Sequence, residues 1–225
     1  MKGRLTIFKT KTNALLLTAF AAACTLAVSL TYIFTAPVIE QQKQQDLLNK
    51  LTEVLVNEKF DNNPLENCFE YQSTDITGYE TPQTFYRATK DSAPYALVFP
   101  LKTEQGYSGR IEMLVAIDTN GEVQGLRTLT HKETPGLGDK IELAKSDWIL
   151  EFNGKSPKAA DDSTWFVKKD GGNFDQFTGA TITPRAIVNQ MRTSISALKP
   201  EFDRLFELDN ACRATDSQEL NNGNS

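Results

Sequence analysis

Residues 14–34, ALLLTAFAAACTLAVSLTYIF, carry no charged side chain, and no second stretch like them follows. As a helix they measure about 31 Å, roughly the thickness of a bilayer's hydrocarbon core. The expectation is one transmembrane helix, with the folded part of the chain on one side of it. Lys2, Arg4, Lys9 and Lys11 precede the span without any acid, and the first acid is Glu40. The positive-inside bias therefore keeps residues 1–13 in the cytoplasm and puts the rest outside. A secretory signal peptide is the rival reading, because Ala21–Cys24 faintly resembles a processing or lipoprotein site. Apolar character nevertheless runs ten residues past Cys24, whereas signal h-regions span only about 7–15 residues.

All 29 acidic residues lie from Glu40 onward, against 20 of the 24 basic ones, leaving that part near −9. Such a balance repels nucleic acid and gives an anionic lipid surface no reason to hold it. Within 225 residues there is room for one fair-sized domain plus an appendage. Cys24 falls in the span, so Cys68 and Cys212 are the two thiols outside, where an oxidising compartment permits a disulfide joining the domain's ends. Two unpaired small apolar side chains are the alternative. Without a CxxC or a histidine partner they offer no zinc site.

Beyond Pro37, Leu47, Leu48, Leu51, Val54 and Leu55 repeat at helical spacing, which predicts an amphipathic helix of about five turns. Residues 58–92 read as loops and short strands, so 35–92 form a lead-in. Residues 95–101 and 111–118 are β-rich, and Thr119-Asn120-Gly121 supplies the turn into a further strand over 122–130. Apolar spacing predicts a helix over 143–152, a strand at 165–167 and a turn at Asp170–Asn173. A last helix starts at Thr183 as N-cap with Pro184 at its first position, and Ile187, Val188, Met191, Ile195 and Leu198 form its apolar face. The fold class is α+β: a curved antiparallel sheet flanked by helices, with the domain at 93–212 and a disordered polar tail at 213–225.

Two short segments carry chemistry. Thr178-Gly179-Ala180-Thr181 leads into the last helix, placing small residues and hydroxyls where free N–H groups and the helix dipole attract an anion. By itself it reads first as an ordinary helix-capping loop, and a threonine oxygen there could be hydrogen-bond partner or phosphoester acceptor. His131-Lys132-Glu133-Thr134-Pro135-Gly136-Leu137-Gly138-Asp139-Lys140 combines a rigid proline with two glycines around one leucine. Such a loop can lay an apolar side chain against a planar ring, or simply connect two elements.

An N-terminal anchor, then GYSGRIEMLVAID, HKETPGLGDKI and DQFTGAT in that order, resembles the FMN-binding domain shared by two related respiratory subunits. These are the G subunit of the Rnf (Rsx) ion-translocating electron transport complex and the C subunit of the sodium-translocating NADH:quinone oxidoreductase. The likeness covers residues 95–198 in motif detail, and the chain length is closer to the Rnf subunit. The resemblance implies FMN joined through its phosphate to Thr181, the last threonine of the Ser/Thr-Gly-Ala-Thr motif, with Asp175, Thr178, Gly179 and Ala180 as its recognition sequence. It implies Glu133, Thr134, Gly136, Leu137 and Gly138 as flavin neighbours, with Lys140 held more loosely.

It further implies an electron-transfer subunit of a ferredoxin- and NAD-linked complex in the bacterial inner membrane, not catalytic alone. The other membrane subunits would be its partners, and a separate flavin transferase would attach the cofactor. No residue is assigned a catalytic role, His131 included, because flavin brings its own redox chemistry. No GxGxxG follows a strand and no cysteine cluster could ligate iron and sulfur, so such centres fall to other subunits. An anchored binding or structural domain without flavin is the alternative from a different class.

Overall fold

The computed structural model describes residues 2–55 and 60–212; the expected disordered tail at 213–225 lies outside the described residues. The chain divides into two compact units, Met1–Leu47 and Leu48–Ser225. Helix α1 runs Lys2–Val54, so the expected anchor and amphipathic helices are one element whose backbone passes position 37 without a break. Within it Ala14–Ala36 is long and apolar enough to cross a membrane. Thr18, Thr25 and Thr31 each donate a hydroxyl hydrogen bond to the carbonyl four residues back, at 2.9 Å. Their polarity is thus satisfied inside the helix, which a hydrocarbon surrounding requires.

The second unit is built on an open five-stranded antiparallel sheet of order β1-β2-β3-β4-β5. Its strands are β1 Cys68–Tyr71, β2 Gln83–Lys90, β3 Ala93–Gly106, β4 Gly109–Asp118 and β5 Val123–Thr130. The sheet therefore starts well before residue 93, and the segment set apart as a lead-in supplies two of its strands. The alternation of β2 is masked in the sequence because Arg87, a charged residue, points inward with Phe85. Arg87 lies over the Phe69 ring at 4.5 Å and donates to Asn67 Oδ1 at 2.9 Å and to the Leu208 carbonyl.

Successive residues Ala96 to Phe99 of β3 are all fully buried, so both faces of the central strand are covered. Helix α3, Ile182–Leu198, lies against β3 with Ile187, Val188, Met191, Ile195 and Leu198 buried. The last residues of α1 pack at β5, where the Val54 carbonyl would collide with any Cβ on Gly125. Short helices α2, Thr74–Thr77, and α4, Phe202–Phe206, complete the regular elements. Phe85 stacks between Phe69 and Phe99 at ring-centroid distances of 5.2 and 4.7 Å.

The outer edge of β1 is covered by residues 210–212. Cys68 and Cys212 are joined by a disulfide with Cα atoms 5.3 Å apart, and the Ala211 N–H donates to the Cys68 carbonyl at 2.8 Å. Closing a loop of this length removes unfolded-state entropy worth about 5 kcal/mol. Three local expectations differ from the structure. Residues 165–167 form no strand, because Val167 makes one bridge to Phe174 and the chain then reverses at Gly171, φ 90°. The helix expected over 143–152 is a 3-10 turn, Asp147–Phe152, capped by Ser146. The last helix starts at Ile182 rather than after Thr183.

Replacing Phe85 by alanine deletes the middle ring of the aromatic stack. The expected loss is about 3–5 kcal/mol, read as a lower midpoint of denaturant unfolding with the disulfide intact. An unchanged midpoint would remove Phe85 from the centre of the core.

Candidate functional site

Two tight turns meet above the end of the sheet. In the first, the Leu137 N–H donates to the Thr134 carbonyl at 3.1 Å, with Pro135 and Gly136 between them. Proline presets the first central position, and Gly136 takes φ 78° at the second, the pattern of a type II turn that side-chain-bearing residues resist. The turn leaves Leu137 facing outward, 42% exposed. Immediately after it, Ile141 is fully buried and anchors the segment in the core.

The second turn spans Phe177–Ala180, closed by the Ala180 N–H donating to the Phe177 carbonyl at 3.1 Å. Gly179 carries the left-handed φ of 81°. Phe177 is held by the edge of Trp148, centroids 5.1 Å apart, and the Trp148 indole N–H donates to the Asp175 carbonyl at 2.8 Å. A Cβ placed on Gly179 would lie 3.6 Å from Leu137 Cδ2, so the two turns touch through that leucine. Helix α3 then begins with Thr181 as N-cap, whose side chain makes no capping hydrogen bond, and its first turn holds no acid. The helix's leading N–H groups lack intrahelical partners, and the positive end of the dipole is open to an anion. Arg185, on the first turns of the helix, is engaged elsewhere, its guanidinium paired with Asp170 at 2.5 and 2.8 Å. That hydrogen bonding holds the Asp170 carboxyl below its usual range.

Glu133 joins the pieces. Its carboxylate is buried, accepting the Ser108 N–H at 3.0 Å on one oxygen and the Thr183 hydroxyl at 2.5 Å on the other. Gly138 is required beside it, since a Cβ there would fall 2.7 Å from a Glu133 oxygen. Upstream, the Glu133 N–H donates to His131 Nδ1 at 3.0 Å. That bond leaves the His131 proton on Nε2, which meets Glu142 at 2.7 Å. His131 thus props the first turn from behind and stays away from the cavity.

Between the turns lies a cavity of about 330 Å³ lined by Tyr107, Glu133, Thr134, Leu137, Gly138, Gly179, Ala180, Thr181, Ile182 and Thr183. The structure brings Glu133, Thr134, Leu137 and Gly138 together with Gly179, Ala180 and Thr181. Gly136, Lys140 and Thr178 do not line it, and the Asp175 side chain turns away to pair with Lys168. Tyr107, Ile182 and Thr183 belong to the wall, although nothing in the sequence marks them as site residues. Beyond α1, the exposed large apolar side chains among the described residues are Tyr107, Leu137, Leu143 and Ile182, and three of the four ring this cavity. A larger cleft of about 600 Å³ lies beside β5. Among its charged residues Arg127 faces Glu53 at 3.8 Å and His131 meets Glu142 at 2.7 Å, and no α-helix begins among its lining residues.

These features fit FMN. The open start of α3 suits its phosphate, the apolar rim suits a flat hydrophobic ring, and the volume lies within the range of about 300–1,000 Å³ usual for ligand pockets.

The FMN-binding domain family matches residues 106–196, and the RnfG N-terminal region matches residues 1–54. The G subunit of the ion-translocating oxidoreductase complex of Shewanella loihica is 46% identical over 184 residues, covering 82% of this chain and 87% of its own length. The protein of the same name from Pseudoalteromonas atlantica is 43% identical over 90% of this chain and 94% of its own length. That of Vibrio cholerae serotype O1 is 42% identical over 89% and 95%. With its apolar span at Ala14–Ala36, this is a single-pass membrane protein, and it belongs to the family of G subunits of ion-translocating oxidoreductase complexes.

Proposed function

We propose that the chain is the flavin-bearing electron-transfer subunit of an Rnf-type ion-translocating complex, with FMN seated between the two turns and esterified through its phosphate to Thr181. The observation that carries this is the coincidence, in one cavity, of an open helix start, an uncapped threonine hydroxyl and three exposed apolar side chains. Bound FMN would supply one- and two-electron redox chemistry. The protein's part is attachment, orientation and control of the surroundings.

Thr181 Oγ1 provides the point of attachment, and the N–H groups of the first turn of α3 face the phosphate charge. Leu137 and Ile182 shield the ring from water while leaving the rim open to an approaching partner. Glu133 fixes the distance between the turns, so ring and phosphate are held in one relative position. The remaining subunits of the complex would deliver and remove electrons. A separate flavin transferase would make the Thr181 ester. The basic residues ahead of the span keep the N-terminus in the cytoplasm, placing the flavin domain on the periplasmic side, where the Cys68–Cys212 disulfide suits an oxidising compartment.

The test uses the full chain, co-expressed with a flavin transferase, denatured and resolved on a gel. Wild type is expected to show a band fluorescing under ultraviolet light, with an FMN-sized mass gain on the peptide containing Thr181. Thr181→Ala is expected to lose the band while its unfolding stays within about 0.5 kcal/mol of wild type, since a partly exposed hydroxyl and methyl are all that change. A fluorescent band surviving in Thr181→Ala sinks the attachment site.

Glu133→Gln probes the strut. Glutamine offers one acceptor oxygen where the Ser108 N–H and the Thr183 hydroxyl approach two, so one buried donor is orphaned at about 1–3 kcal/mol. A lower unfolding midpoint together with reduced flavin loading is the expected result. Wild-type loading and stability would show that the strut does not hold the site.

A further inference from the structure

The hairpin joining β3 to β4 reaches the same cavity. Its last register pair is Gly106 with Gly109, leaving Tyr107 and Ser108 at the tip. The tip is fixed on two sides. The Ser108 N–H is bonded to Glu133 Oε1 at 3.0 Å, and a Cβ on Gly106 would collide with the Gly109 carbonyl and fall 2.7 Å from the same Glu133 oxygen. Gly109, at φ 98°, takes the left-handed conformation that closes the hairpin, so the turn itself places no demand on position 107.

What occupies that position is an aromatic residue 68% exposed to water, carried on a backbone pinned to the carboxylate that also positions Leu137. It is the single aromatic among the residues lining the cavity. A small polar side chain would satisfy the turn equally well. A fixed, exposed aromatic ring at the mouth of an apolar cavity is suited to meet another flat ring by offset or edge contact.

We infer that Tyr107 is the aromatic contact of the flavin ring, a positioning residue whose phenol stacks on the cofactor and tunes its electronic properties. This rests on the assignment of the cavity to FMN. An electron-rich phenol in contact with an excited flavin gives it an electron and takes the same electron back without light being emitted. The chain's own flavin is therefore dim when folded and brightens when the contact is broken.

The experiment uses full-length wild type, Tyr107→Phe and Tyr107→Leu, each co-expressed with a flavin transferase and purified in detergent. Flavin loading is measured by visible absorbance after denaturation, and fluorescence yield and lifetime before and after it. Wild type is expected to brighten severalfold on unfolding, whereas Tyr107→Leu is already bright when folded, at equal loading. Tyr107→Phe keeps a stacking ring that the excited flavin cannot oxidise. Bright fluorescence with a midpoint potential near wild type is expected there, against a shifted potential in Tyr107→Leu. An equally loaded Tyr107→Leu with the wild-type folded-state lifetime overturns the contact and leaves the FMN assignment standing. Absence of covalent flavin from wild type despite active transferase overturns the assignment, and the contact falls with it.

Discussion

The site depends on one buried carboxylate. Glu133 accepts hydrogen bonds from the tip of the β3–β4 hairpin and from the first turn of α3, and it immediately precedes the turn that presents Leu137. Three segments far apart in sequence are thereby fixed to one point. A buried charge is costly unless its lone pairs are satisfied, and here both oxygens are engaged by donors. The two glycines that crowd it, Gly106 and Gly138, follow from the same constraint, since any Cβ at either position would overlap the carboxylate. The conformation of the Thr134–Leu137 turn is then secured from behind by the His131 ring.

Beneath the site the fold is held by aromatic packing and by a covered sheet edge. Phe69, Phe85 and Phe99 stack across three neighbouring strands, and Trp148 connects the 3-10 turn at Asp147–Phe152 to the turn carrying Gly179. At the edge strand β1, the disulfide and the Ala211 hydrogen bond cover backbone groups that would otherwise offer a template for another strand. Stability is thus concentrated away from the cavity, whose walls are turns held by a few specific bonds.

How much is legible in the sequence follows from the kind of signal each residue gives. The apolar span, the Asn120-Gly121 hairpin and the apolar face of α3 rest on local periodicity and turn chemistry, and they are present in the structure. The two glycine-containing motifs can be recognised as turns because Pro135-Gly136 and Gly179 encode backbone conformation directly. Strand β2 escapes such a reading because its inward positions include Arg87, which donates to partners as distant as Leu208, and no local pattern announces such a partner. The boundary of α3 is misplaced for a related reason. Thr183 looks like an N-cap, but its hydroxyl is drawn to Glu133 across fifty residues, and the helix starts earlier. Tyr107 and Ile182 give no signal beyond ordinary composition, since their exposure is a tertiary property.

A cavity of about 330 Å³ with an open apolar rim is at the small end of the range of about 300–1,000 Å³ usual for ligand pockets, and FMN would be only partly enclosed by it. Non-covalent affinity grows with buried surface and with the number of groups engaged, so a shallow site would release such a ligand readily. The proposed ester at Thr181 would change that balance. Such a tether would return the ring to the cavity as an intramolecular partner at high effective concentration, so retention would no longer require deep burial. Deep burial would also work against electron transfer, which needs a partner to come close to the ring. Tethering at the phosphate end and exposure at the ring end would therefore solve one problem together, and the positions of Thr181 at the helix start and of Leu137, Ile182 and Tyr107 around the rim suit such a division of labour.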